Sequence, residues 1–155
     1  MIIKGTVKLT LAAAVLGYMP WAIAGEKVSY PTERLATFVI DNLDVTSLPS
    51  AFRTKKEKGK KTFADYGYTT RNLDDKQVVV QALSDGDTLS IKVLEQSASG
   101  IYACVAKVAH EGSNPTAQSV IFMKRKESST LLKGSESSRA FENCPVLPAI
   151  ESSGY

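Results

Sequence analysis

Histidine and tryptophan each occur once in this 155-residue chain, and cysteine only twice. A zinc site draws three or four ligands from His, Cys and carboxylates. His110 and two cysteines expected to be oxidised do not supply such a set, so no metal and no cofactor is expected. A Ser-His or Cys-His catalytic pair needs a nucleophile beside the imidazole and an acid to orient it. His110 lies in a loop rich in Gly, Asn and Pro, and the sequence has no G-x-S-x-G element. Glycine-rich phosphate loops and dinucleotide fingerprints are missing too. No apolar run reaches the roughly 20 residues that a membrane-spanning helix requires. These gaps argue against an enzyme.

The N-terminal residues have the layout of an export leader. Lys4 and Lys8 precede an apolar stretch from Leu9 to Leu16, and small residues stand at Ala22 and Ala24. That pattern predicts a cleavable signal peptide over 1–24, cut after Ala24. The alternative is a short N-terminal anchor. Cleavage would leave a secreted, β-rich domain over 25–155, with the periplasm as its expected location. It would also remove two of the 19 Lys and Arg residues, leaving a near-neutral chain against 16 acidic ones. Global charge therefore gives no argument for nucleic acid.

In an oxidising compartment Cys104 and Cys144 are expected to pair. The bond closes a loop of about 40 residues and ties the C-terminal tail to the sheet. A reactive thiol is the alternative reading; it would need a depressed thiol pKa and a nearby base.

Most of the chain reads as antiparallel β-structure. Leu35, Phe38, Val39 and Leu43 fall at helical spacing, with Thr32 as a possible cap. Thr37 to Ile40 also suits a strand, and the helix is preferred. Asp44 to Pro49 reads as a turn. Residues 62–70, rich in aromatic and β-branched types, read as a strand, as do 77–83. Asp85-Gly86 marks a hairpin, after which Leu89, Ile91 and Val93 alternate with Ser90 and Lys92. Ile101 to Val108 is apolar on both faces, as in a central strand. Ser119 to Lys124 and the segment around Leu132 complete a meander over 77–133. Ser135 to Asn143 reads as loop or short helix. The expected fold is mainly β: an antiparallel meander or sandwich with one N-terminal helix and one disulfide. Tyr102 and Cys104 resemble the Tyr-x-Cys pattern of an immunoglobulin F strand, although the partner cysteine lies downstream instead of upstream.

Carboxylates form two small groups. Asp85 and Asp87 flank Gly86 and read either as calcium ligands or, with nothing added, as a hairpin turn. Asp74-Asp75 reads as a solvated loop. A hydrolase using carboxylates alone would need such groups to converge.

The most distinctive segment is 53–61, Arg-Thr-Lys-Lys-Glu-Lys-Gly-Lys-Lys, with six cations and one Glu. Nothing in it is apolar, so it must be exposed, with Gly59 permitting the turn. Arg53, Lys55, Lys56, Lys58, Lys60 and Lys61 are therefore the candidate partner contacts, together with Ser113 and Asn114 in a second loop. Either these charges meet an anionic surface, or they are simply solvated.

Asp44-Val45-Thr46-Ser47-Leu48-Pro49-Ser50, the basic run, and Gly59 to Tyr68 together resemble small exported proteobacterial proteins. Among these are periplasmic immunity proteins that neutralise peptidoglycan amidases delivered by type VI secretion. The resemblance spans about 25 residues of 155 and transfers no inhibitory residue. It implies tight binding that blocks an enzyme's active site. A peripheral envelope module contacting anionic lipid or glycan through the basic loop is the alternative. Oligomeric state is not readable from the sequence.

Overall fold

The computed structural model describes residues 28–81, 86–109, 114–126 and 129–144. The leader and its cleavage point, Asp85, His110, Ser113 and the final residues lie outside that set.

Among the described residues one seven-stranded sheet dominates. Its strands are β1 (Leu43–Asp44), β2 (Thr69–Asn72), β3 (Gln77–Gln81), β4 (Thr88–Ser97), β5 (Gly100–Val108), β6 (Pro115–Arg125) and β7 (Leu132–Glu136). The order across the sheet is β1-β7-β6-β5-β4-β3-β2. Strands β2 to β7 are successive antiparallel neighbours, and β1 closes the far side by pairing parallel to β7. Of the two arrangements expected, this is the meander: one sheet, mainly β, with one helix and one disulfide.

Side-chain alternation explains the two faces. Leu89, Ile91 and Val93 of β4 are buried together with Val78 and Val80 of β3 and with Ile101, Ala103 and Val105 of β5. Ile91, Ile101 and Ile121 have no exposed surface, and burying each contributes about 1.5–3 kcal/mol. On the opposite face Cys104 and Val120 are covered by Cys144, Leu94, Tyr102 and Phe141. Strand β5 is thus sheathed on both sides, which accounts for its apolar character throughout. A bulge between Val93 and Glu95 shifts the β4 register there. Leu94 packs on the outer face.

Helix α1 (Leu35–Asn42) covers the inner face with Leu35, Ala36, Val39 and Ile40. The expected helix forms, but Thr32 does not cap it. The N-cap position is Arg34 in the left-handed region, without a side-chain cap. The Ala36 amide instead donates to the Asp75 carbonyl at 2.9 Å, so the β2–β3 turn supplies the missing acceptor.

Three further expectations are corrected. Asp44 to Pro49 is not only a turn: Leu43 and Asp44 pair with Leu132 and Lys133, and a single 3-10 turn follows at Val45–Ser47. Residues 62–68 are not a strand; only Thr69 onward pairs in the sheet. The reason is local hydrogen bonding. The Lys61 and Thr62 amides donate to Asp65 Oδ2 at 2.9 and 2.8 Å, and the Tyr66 amide donates to the Thr62 carbonyl. Such bonds compete with a ladder. Ser135 and Glu136 belong to β7, and no helix follows them before Cys144.

Gly134 lets the 3-10 turn approach β7. A Cβ there would stand 2.9 Å from Leu48 Cδ2 and 3.1 Å from Ile121 Cγ2. Cys104 and Cys144 form the expected disulfide, with Cα atoms 5.6 Å apart. Among the described residues no helix is long and apolar enough to cross a membrane.

Candidate functional site

The basic run emerges between two buried phenylalanines, Phe52 and Phe63. The chain turns out of the core at Pro49, whose carbonyl accepts from the Phe52 and Arg53 amides, both at 2.9 Å. It returns at Lys61, whose carbonyl accepts from the Val45 amide at 2.8 Å. Both ends of the loop are therefore fastened to the body of the protein.

Between those ends Tyr66 acts as a staple. Its hydroxyl donates to the Lys55 carbonyl at 2.8 Å and accepts from the Glu57 amide at 3.1 Å. Thr54 Oγ1 and the Tyr68 hydroxyl lie 3.0 Å apart and hydrogen-bond. Tyr68 in turn packs on Phe63 and Tyr66, with ring centroids 5.6 and 6.1 Å away. Lys60 stands over the Tyr66 ring at 5.3 Å and pairs with Glu57 at 2.8 Å. Gly59, at φ 82, makes the tip that this pairing closes. The aromatic residues that suggested a strand instead hold a loop in one shape.

Electrostatics follow the same geometry. The Thr62 and Lys61 amides hold the Asp65 carboxyl below its ordinary range, with help from the Thr62 hydroxyl. The Glu57 carboxylate, by hydrogen bond and charge, raises the Lys60 ammonium above its ordinary value.

The candidate contacts separate into two groups. Arg53, Lys55 and Lys60 line a groove of about 380 Å³ on one side of the loop. Lys56, Lys58 and Lys61 are exposed but do not line it. Asn114 is exposed just before β6, whose first residue, Pro115, pairs with Val108. It therefore sits at the end of the sheet that carries Lys107, although it does not line the groove. Sequence reasoning missed Lys107 and took Asp87 for a calcium ligand or a turn residue. Asp87 is not merely a turn residue: it pairs with Lys107 at 2.7 Å, and both line the groove. Thr88 pairs with Val108 and Leu89 with Lys107 across β4 and β5, so Asp87, just before Thr88, reaches Lys107 diagonally. Only the strand register reveals this.

Among the described residues no three His, Cys, Asp or Glu side chains gather where they could hold a metal. Asp74 accepts from the Lys76 and Gln77 amides at 2.7 and 2.8 Å, which gives it a turn-forming role. No family model, no curated protein and no solved structure matches the chain.

Replacing Tyr66 with Phe tests the staple. It removes the hydroxyl that the Glu57 amide and the Lys55 carbonyl both use. The expected loss is about 1 kcal/mol of global stability, with much faster hydrogen exchange at the Glu57 amide. Unchanged exchange at Glu57 would show that other contacts order the loop.

Proposed function

We propose that this chain is a non-enzymatic, exported inhibitor: a periplasmic immunity protein that binds a cell-wall hydrolase and blocks its active site. The observation that carries the reading is the Tyr66 staple across Lys55 and Glu57. A solvated lysine run needs no such fastening. A binding loop gains from it, because ordering a flexible loop on association costs about 0.5–1.5 kcal/mol per immobilised side chain. The resemblance of 44–68 to immunity proteins against amidase effectors supports the same reading, as does a disulfide-tied frame suited to an exported protein. In this proposal the leader over 1–24 is removed and the mature chain starts at Gly25.

A pull-down from periplasmic extract with the full mature chain tests the partner. The expected catch is a murein hydrolase with sub-micromolar affinity. Reversing Lys55, Lys56 and Lys58 to Glu should weaken capture by at least about tenfold, or roughly 1.4 kcal/mol. Recovery of no such enzyme would contradict the proposal.

A second reading is peripheral attachment to anionic lipid or glycan. The outward exposure of Lys55, Lys56, Lys58 and Lys61 favours it. Flotation with anionic vesicles that is abolished by salt and by Lys→Ala changes at 55–61 would support this reading over the first.

A further inference from the structure

We infer that the groove beside the basic loop is a receptor for an acidic peptide segment, one that carries a carboxylate next to an apolar side chain. The inference deepens the reading of the chain as a protein binder and rests on it.

Arg53, Lys55, Lys60 and Lys107 contribute four cations to the groove, and Glu57 and Asp87 contribute two carboxylates. Both carboxylates are already engaged, with Lys60 and Lys107. Arg53 and Lys55 have no ion-pair partner among the described residues. The groove thus carries an excess of two positive charges.

Phe52, Val80 and Leu89 lie buried beneath the groove, and the partly exposed Ala51 and Tyr68 give it a small apolar wall. A cationic rim beside a short apolar wall suits a carboxylate carried next to an apolar side chain. At about 380 Å³ the space lies near the small end of ligand pockets, which run to about 1,000 Å³. It has room for a pair of neighbouring side chains. A flat bilayer would not enter it and would meet the outward Lys56 and Lys58 instead. The paired Glu57 and Asp87 hold Lys60 and Lys107 in place, so that an incoming carboxylate meets fixed partners. Arg53 adds a planar donor fork that can take a carboxylate in two parallel bonds.

The test uses the full mature chain and a short fluorescent peptide in which Glu and Phe alternate, with a second peptide that has Gln in place of Glu. Anisotropy should show binding of the Glu peptide and at least about tenfold weaker binding of the Gln peptide. Arg53→Glu should weaken the Glu peptide by about tenfold or more, and Lys92→Glu, at an exposed position of β4 outside the loop and the groove and with the same change in net charge, by less than about threefold. Matching thermal melts confirm that both variants fold. Equal losses from the two variants, or equal binding of the two peptides, would overturn the inference. So would phosphatidylglycerol vesicles that displace the peptide and depend on Lys58 as strongly as on Arg53. The two proposals also fail separately. A hydrolase captured with no dependence on Arg53 removes the groove and leaves the inhibitor. Peptide binding as described, with no hydrolase recovered, does the reverse.

Discussion

Replacing Cys104 and Cys144 together with Ser is expected to lower stability by about 4 kcal/mol. In the chain-entropy model that is the contribution of a cross-link spanning 40 residues, through restriction of the unfolded chain. The folded state adds a further reason. The segment after β7 lies over the outer face through a small set of contacts. The Ser137 amide donates to the Val120 carbonyl at 2.8 Å. Arg139 makes two bonds to Glu95, at 2.8 and 2.6 Å, and stacks on Tyr102 and Phe141. That ion pair is exposed on both sides, so it adds little by itself. The disulfide is what keeps Cys144 and Val120 almost wholly buried. Without it the segment frays and β5 loses its outer cover. For a chain of this size the melting temperature should fall by about 10–15 °C. Equal melting of the wild type with and without reductant would contradict the assignment. Neither cysteine lines the groove, so affinity for the acidic peptide proposed to bind there, measured well below the transition, should be unchanged.

The framework was legible wherever a local pattern determines the outcome. Leu89, Ile91 and Val93 alternate because one side of β4 is core, and that period is visible in the residues themselves. The apolar stretch of β5 announced a strand covered twice. Where non-local partners decide, the sequence was silent. Strand β1 is two residues long and exists only because Leu43 meets Leu132 in parallel. The cap of α1 comes from Asp75, on a turn that follows the helix by more than thirty residues.

Residues 62–68 were misread for a different reason. Aromatic and β-branched residues favour strands only as far as they pack on a pleated, half-buried surface. Phe63, Tyr66 and Tyr68 pack on one another and on the lysine loop instead. A sign of this was present in Thr62-x-x-Asp65, a spacing in which the Asp65 amide donates to the Thr62 hydroxyl while the Asp65 carboxylate takes the Thr62 amide. The cations at 53–61 were evident, but the groove was not, because Lys107 and Asp87 reach it through the β4–β5 register.

Asp44 should be the most sensitive polar position. It is 1% exposed and faces the Lys133 ammonium across the β1–β7 pair. It also accepts from the Thr46 hydroxyl at 2.6 Å and the Thr46 amide at 3.1 Å, which caps the 3-10 turn. The Ser47 hydroxyl donates to the Asp44 carbonyl and accepts from the Gly134 amide, so one cluster fastens the turn to β7. Asp44→Ala should cost about 3 kcal/mol, combining a lost cap with a broken, partly buried ion pair. Lys133→Met should cost about 2 kcal/mol at neutral pH, since Lys133 is itself partly exposed while the carboxylate stays buried. Burial pushes the Asp44 carboxyl up, yet the bonds from Lys133 and Thr46 outweigh it and hold the group below its ordinary value of 3.8. A carboxyl depressed in the folded state contributes stability that is complete above the unfolded value and fades as pH falls through the folded one. Urea melts should therefore show a wide gap between wild type and Lys133→Met at neutral pH, narrowing as the pH falls from the variant's Asp44 value, higher once Lys133 is gone, through the wild type's depressed one. A gap independent of pH would mean that Lys133 acts through packing alone. The Val45 amide, one residue beyond Asp44, holds the Lys61 carbonyl at the root of the basic loop. Asp44→Ala should therefore also speed hydrogen exchange at Val45, coupling this buried carboxylate to the root of the basic loop.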